Sequence, residues 1–382
     1  MATVVSIITR LNIGGAALHA ILLADGLRPE YQTLLVTGRE SATEGSMLPL
    51  AVEKRVPIVT IPELRREIDP LNDVIAFFKL LRVIRRVRPQ IIHTHTAKAG
   101  FIGRIAALLC RAPVIIHTFH GHVFRGYFGP TKTSILLMLE RCLALFSSRI
   151  LTVSEQQREE LANFRIAPKS GITCVSLGLD LSHLAANPTG RNEMRGKWGV
   201  PLDAQAVGIV ARLVKIKGHE LFFDSAVEVR KQYPNAWFVV VGDGERRTEL
   251  EHYAQRLRLP VVFTGWESDL QAVHSALDVV CLTSFNEGSS TALIEALAAA
   301  KPVVSTAAGG VVDIVRDGDT GILLQGRDPQ AFAKAICQLL AASGPAREMG
   351  LRGRDSVFPR YDVSKLLENM KLIYQSLLRA EC

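Results

Sequence analysis

At 382 residues, 48% hydrophobic and 21% charged, the chain has the length of two or three domains and ample apolar material for packed cores. No uncharged apolar run approaches the roughly 18–20 residues of a membrane span, and Met1-Ala2-Thr3-Val4-Val5 reads as a first strand, so neither a spanning helix nor a signal peptide is expected. The six cysteines are scattered without a CxxC pair, which fits a reducing cytoplasm and argues against structural zinc. The net charge of +8 is one-sided: residues 1–180 hold 22 Lys and Arg against 14 Asp and Glu, and residues 181–382 hold 23 of each. A basic first half points to phosphate-bearing partners, whether nucleic acid, an anionic membrane surface or a phosphorylated substrate, or else to arginines spread over solvated helices.

Strand-length apolar runs alternate with helical patterns along most of the chain, the signature of parallel α/β sheets. The first half predicts strands at 3–8, 32–36, 58–61, 91–93, 114–117, 150–153 and 172–175, and helices near 15–27, 71–87, 98–110, 132–147 and 155–164. The turn Asn12-Ile13-Gly14-Gly15 follows the first strand and enters a helix, where paired glycines let backbone approach a bound group. It is not GxGxxG, so a dinucleotide reading is weak. The helix through Phe77, Leu80, Leu81, Ile84 and Arg88 carries Lys79, Arg82, Arg85 and Arg86 around its other faces. Such a helix either lies on anionic lipid or covers a sheet with its basic side in water.

Two histidine sets follow adjacent strands, His93 and His95 in one, His117, His120 and His122 in the other. HxH spacing on a strand puts both imidazoles on one side. A metal site is one reading, but no carboxylate or cysteine joins locally, and hydrogen bonding to a polar substrate is the other. His120, just before Gly121, is placed at the reacting centre.

A linker is expected over 181–200, centred on Asn187-Pro188-Thr189-Gly190. Beyond it, strands at 206–210, 237–241, 261–264, 279–282, 302–305 and 321–324 alternate with helices near 218–232, 245–257, 268–275, 290–300, 328–342 and 363–379. Two such sheets predict two Rossmann-like domains with a cleft between them as the default ligand site. Arg212 and Lys217 lie on the loop after the first strand of this half and would neutralise a diphosphate without a metal. Glu287 and Glu295 stand eight positions apart across a turn-to-helix junction. If Ser289 or Ser290 caps the helix, its free N–H groups make an anion site beside Glu287. The plainer reading is an ordinary capped helix with two surface glutamates. Asp317-Gly318-Asp319 has the DxD spelling of a metal-binding site but lacks a preceding apolar strand, and is read as a turn.

Taken together, Gly14-Gly15, His120-Gly121, Arg212 and Lys217-Gly218, Gly242-Asp243-Gly244, the Glu287–Glu295 spacing, Lys301-Pro302 and the later glycines Gly309, Gly310, Gly318 and Gly321 fall in an order that resembles the retaining glycosyltransferases of family 4 over nearly the whole chain. The resemblance implies the α/β GT-B fold: a first domain over 1–180 completed by a last helix at about 360–382, and a donor domain over 201–359. It also implies metal-free transfer of a sugar from a nucleotide donor, a UDP- or GDP-sugar, with retained configuration. Arg212 and Lys217 would bind the diphosphate, aided by backbone around Gly15 and Thr291, and Glu295 the ribose. Glu287 and Gly288 would contact the donor sugar, with His120 beside its anomeric carbon. The chain departs from the family in having Ser289-Ser290 where an aromatic often stands and Ala298-Ala299-Ala300 where Ala-Gly is usual, which leaves the donor sugar open.

A sugar or lipid-linked acceptor is expected on the basic domain, at the inner face of the cell membrane. The stretch 119–132 and the apolar residues Ile135 and Met138 support it. A nucleotide-sugar epimerase or a catalytically silent subunit of the same fold are the rival readings. No nucleic-acid partner is expected, because no DNA or RNA module is recognisable.

Overall fold

The computed structural model describes residues 1–41, 44–122, 124, 129–185 and 190–380. The chain forms two compact units, Met1–Gly178 with Val363–Cys382, and Leu179–Asp362.

Among the described residues, the first unit holds a seven-stranded parallel sheet of β1 (Ala2–Ile8), β2 (Tyr31–Thr37), β3 (Ile58–Thr60), β4 (Ile91–His95), β5 (Val114–Phe119), β6 (Arg149–Thr152) and β7 (Ile172–Cys174), in the order β3-β2-β1-β4-β5-β6-β7. β4 and β5 are buried along their whole length because helices cover both faces, so the period-two alternation of a one-sided strand is absent. The basic helix runs Pro70–Val87. Asp69 caps it by accepting from the Asn72 N–H at 3.2 Å, Pro70 occupies its first turn, and Arg88 ends it in the left-handed region at φ 48°. Arg88 therefore leaves the helix and is exposed, and does not share the apolar stripe of Ala76, Leu80, Leu81 and Ile84 as the spacing predicts.

The Val363–Ala380 helix returns to this unit. Its Leu366, Met370, Tyr374 and Leu377 recur at helical spacing and pack into a core with Val4, Leu27, Tyr31, Ile91, Ile116 and Leu151. Contact there is close: a Cβ on Gly26 would lie 2.4 Å from Leu367 Cδ1.

The second unit contains, among its described residues, a six-stranded parallel sheet of β8 (Ala206–Val210), β9 (Trp237–Val241), β10 (Val261–Gly265), β11 (Val279–Leu282), β12 (Val303–Thr306) and β13 (Ile322–Leu324), in the order β10-β9-β8-β11-β12-β13. The stretch 181–200 is not the open linker that its composition suggests. Helices Ser182–Ala185 and Arg191–Trp198 belong to this unit, and residues 187–189 of the expected turn lie outside the described ones. Fully buried Arg195 fixes the second helix, donating to the carbonyls of Ala276 (2.9 Å) and Ala204 (2.8 Å) and to Asp278 Oδ2 (2.8 Å). A buried guanidinium is tolerated only when its donors are met in this way.

Candidate functional site

In both sheets the strand order reverses between the first and fourth strands, β1 and β4 in one unit, β8 and β11 in the other. Crevices beyond the carboxyl ends of strands at such reversals are where open α/β sheets bind ligands.

In the second unit the loops leaving β8 and β11 are laced together. Phe285 N donates to Ile216 O at 2.8 Å, and Thr283 Oγ1 to Lys217 O at 3.1 Å. Lys217 Nζ lies 2.5 Å from Glu287 Oε1, and Ser284 Oγ donates to the same oxygen at 2.5 Å. Both charged side chains are largely shielded, Glu287 at 8% and Lys217 at 17% exposure, so their attraction is little screened by water. The loop that presents Glu287 is held from behind. Gly310 N donates to Glu287 O at 2.9 Å, and Gly309 sits at φ 54°, where a Cβ would come within 2.2 Å of that carbonyl. Only glycine fits at 309.

Helix Thr291–Ala298 begins beside this ion pair, and Ser290, not Ser289, caps it, its Oγ accepting from Leu293 N at 3.4 Å. The cap uses one of the four N–H groups that the first turn leaves over, and the positive end of the helix stays available to an anion. Ser289 Oγ is buried with no hydrogen-bond partner among the described residues. Glu295 lies one turn into the helix, partly buried, and burial pushes its carboxyl up to about 7. Arg212 is partly buried on the β8 loop, and Gly288 and Thr291 are partly exposed at the helix start. The β9 loop closes the same edge: a Cβ on Gly242 would stand 2.2 Å from Ala211 O. Asp317-Gly318-Asp319 is the turn expected of it, with Asp319 paired to Arg316 and Arg352.

Sequence reasoning missed Arg327, which follows β13. Its guanidinium stacks 3.7 Å from the Phe285 ring centroid and donates to Thr283 O at 2.7 Å, bracing the loop that carries Glu287, and burial lowers its pKa. The available signal was its place: like Arg212, it is a cation on a loop leaving the carboxyl end of a strand.

The first unit's reversal carries hydroxyls and imidazoles instead. Thr9 and Thr96 share a 2.7 Å hydrogen bond across it. The HxH expectation holds on β4, where the His93 and His95 ring centroids are 4.2 Å apart. His93 is bonded on both nitrogens, to Tyr374 OH and to Thr118 Oγ1, each at 2.7 Å. His95 Nδ1 meets His120 Nε2 at 3.0 Å. The five histidines do not converge as a set. His117 turns to Thr94 (2.9 Å) and His122 to Glu160 (2.6 Å), while His19, from helix Gly15–Gly26, packs its ring 4.8 Å from that of His120. His19 was missed, and its signal was position, four residues beyond Gly15 in the helix that starts at this edge. Burial lowers the His19 pKa to about 4, and burial followed by neighbouring histidines holds His93, His95 and His120 well below the usual value, so these rings are neutral. His120 alone of the four keeps partial exposure. Gly14 opens the first helix with free space before it, a Cβ there meeting nothing nearer than Asn12 Nδ2 at 3.9 Å. Of the stretch 119–132, residues 123 and 125–128 lie outside the described ones.

The family model for glycosyltransferase family 4 matches residues 13–183, and that for glycosyl transferases group 1 matches residues 190–356. The chain is 25% identical over 320 residues, 82% of each protein, to UDP-Gal:alpha-D-GlcNAc-diphosphoundecaprenol alpha-1,3-galactosyltransferase of Escherichia coli. It is 26% identical to the capsular polysaccharide biosynthesis glycosyltransferase CapM of Staphylococcus aureus, over 84% of this chain and 86% of that one. In structure it superposes on HepE of Anabaena in complex with UDP-glucose with a TM-score of 0.84, at 21% identity, over 98% of this chain and all of that one. Sucrose-phosphate synthase of Thermosynechococcus elongatus gives a TM-score of 0.80 at 21% identity over the full length of both.

Proposed function

This chain belongs to the glycosyltransferases of the family 4 type and has their GT-B fold, and we propose that it transfers a sugar with retained anomeric configuration and no metal cofactor. The donor is a nucleoside diphosphate sugar, UDP- or GDP-linked, and the acceptor a lipid-linked or polysaccharide-precursor sugar. The observation that carries this reading is the Lys217–Glu287 pair, 2.5 Å apart and shielded, beside the open end of a capped helix at the strand reversal. A diphosphate offers Lys217 more negative charge than one carboxylate does. On binding, the ammonium passes to the phosphates alongside Arg212, and Glu287 is released to accept from a hydroxyl of the donor sugar. Those fixed cations and the helix start then stabilise the charge that develops on the departing diphosphate.

Glu295 accepts from the ribose hydroxyls, its side chain leaning back toward the helix start as helical side chains do. Gly288 and Thr291 offer backbone N–H groups, and the unpartnered Ser289 hydroxyl is the group in this loop suited to reading the sugar. In the first unit, Gly14 and Gly15 offer backbone at the helix start, and His120, a neutral imidazole steadied by His95, is the group suited to a sugar hydroxyl. The names of the Escherichia coli relative and of the UDP-glucose complex support the donor and acceptor classes.

No helix among the described residues is long and apolar enough to cross a membrane. Docking on an anionic membrane surface is proposed through the exposed Phe78, Arg82, Arg85 and Arg86 of the Pro70–Val87 helix and the exposed Ile135 and Met138 of helix Pro130–Leu145. Sedimentation with anionic and neutral vesicles tests it, and equal, negligible binding to both rejects it.

The transfer itself is tested with labelled UDP- and GDP-sugars and an undecaprenyl-diphosphate-linked sugar, reading product and anomer by NMR, with and without chelator. Turnover that survives undiminished in Glu287→Gln and in the Arg212→Ala, Lys217→Ala double variant rejects the site, and an inverted anomer rejects retention.

A further inference from the structure

We propose that Arg327 is a positioning residue of the donor site: it holds the Lys217 loop and the Glu287 loop at a fixed spacing, so that Lys217 meets the diphosphate while Glu287 meets the sugar. The inference rests on the sugar-transfer reading of that site.

Arg327 stands three residues past β13, and the chain on its other side is fixed as well. Asp328, the next residue, caps helix Pro329–Ala341 by accepting from Gln330 N at 3.2 Å and Ala331 N at 3.1 Å. That helix buries Phe332 and Ile336 in the core of its unit, so the guanidinium extends from a rigid mount. It reaches two loops that are far apart in sequence. Nη1 donates to Thr283 O at 2.7 Å and to Ser284 O at 3.4 Å, on the loop that leads to Glu287. Nη2 donates to Gly218 O at 3.4 Å, next to Lys217. The face of the guanidinium covers the Phe285 ring at 3.7 Å. Gly218 lies in the left-handed region at φ 61°, and a Cβ there would run into both Arg327 Nη2 and Thr283 O. The side chain and the two loops therefore meet in one closed junction.

This junction bears on the chemistry because Lys217 and Glu287 belong to different loops and meet at their side-chain ends. The spacing of the loops decides whether the ammonium can pass to a phosphate while the carboxylate stays at the sugar. Arg327 also occupies three backbone carbonyls, each an acceptor with partial negative charge, at the edge where the diphosphate has to sit. A lysine at 327 would supply the charge, but neither the planar stack nor the fork that reaches both loops at once.

Calorimetry on the full chain measures affinity for UDP or GDP, whichever the wild-type protein binds more tightly. Arg327→Met should weaken that binding and lower kcat, each by about 10–100-fold, up to the cost of a misplacement of about 1 Å. Arg327→Lys should lose nearly as much, because charge alone does not join the loops. On a Lys217→Met background, Arg327→Met should add less than about threefold, since residues that act through one another are not additive. A general loss of folded protein would add the same factor in both backgrounds. Phe285→Leu removes the stack at a half-exposed ring and gives a readout independent of how the Arg327 variants fold. It should weaken binding by about 2–5-fold, the worth of an exposed cation–π contact. Wild-type affinity in Arg327→Met or Phe285→Leu, full rescue by Arg327→Lys, or equal factors with and without Lys217 overturns the positioning role and leaves the donor site standing. Binding of neither nucleotide, or affinity untouched by Lys217→Met, rejects the donor site itself and the inference with it.

Discussion

The two sheets share one winding. Each runs third-second-first-fourth-fifth-sixth, with a seventh strand added in the first unit, and each reverses beside its first strand. What the two reversals carry differs. That of the second unit is charged, with Lys217 against Glu287 and Arg327 stacked on Phe285 beneath them. That of the first is neutral: two threonine hydroxyls bonded to each other and a group of imidazoles that burial keeps uncharged. The winding determines where a ligand can sit, and the side chains on the loops determine whether that place suits a diphosphate or a group without charge.

The strongest way to break this comparison is to remove what only one unit depends on. A chain ended at Asp362 loses Leu366, Met370, Tyr374 and Leu377 from the first core. At about 1.5–3 kcal/mol for each buried side chain, the loss is about 6–12 kcal/mol, comparable with the about 5–15 kcal/mol that holds a domain together. The first unit is expected to unfold while the second resists, so limited proteolysis should leave a stable fragment close to 179–362. Equal digestion of both halves would show that the units are not separate cores.

Next in size is the charged pair. Lys217→Met should lower kcat by about 10²–10³-fold, the loss typical of one donor removed from a developing oxyanion. Glu287→Gln should cost a similar factor. Because the two side chains touch, the double variant should fall short of the product of the single effects by a coupling of about 0.5–3 kcal/mol. Strictly multiplicative losses would mean that the pair does not work as a unit.

Much of this was legible in the sequence, and what was not has a physical reason. The strand runs and the loops after them could be read because parallel strands buried on both faces are continuous apolar segments. Lys217 and Glu287 could be placed on neighbouring loops, but not in contact, since no local pattern reports a distance across 70 positions. The 181–200 stretch reads as a linker by its Asn-Pro-Thr-Gly turn, yet one buried arginine, Arg195, pins its second helix to the domain core through carbonyls that no side-chain pattern reveals. His19 and Arg327 escaped for the same reason. Each is a single polar residue in an ordinary helix or loop, and only the folded chain shows what it faces.

A smaller effect distinguishes the helix beyond the charged pair. Burial lifts the Glu295 carboxyl to about 7, above its ordinary value of 4.5, so between those two values the folded chain holds a proton that the unfolded chain has lost. Its contribution to stability is full below about pH 4.5 and is lost as pH rises through 7. Donor binding should move the other way, because the ribose hydroxyls need an ionised acceptor. Affinity for UDP is expected to be about tenfold weaker at pH 6 than at pH 8, and Glu295→Gln should bind weakly at both. A titration series that is flat in the wild-type protein would remove Glu295 from the nucleotide site.

The smallest expected effect lies in the neutral unit. Tyr374 donates to or accepts from His93 Nδ1 at 2.7 Å inside the core. Tyr374→Phe keeps the ring and its apolar contacts and deletes that one bond, at a cost of about 1 kcal/mol. For a unit of this size the melting temperature should drop by about 2–4 °C. The thermal shift that UDP produces in the second unit should be unchanged, because Tyr374 and the nucleotide loops belong to separate cores. If the nucleotide response changed as well, the neutral network would be coupled to the charged site, and two independent reversals on one winding would no longer describe this chain.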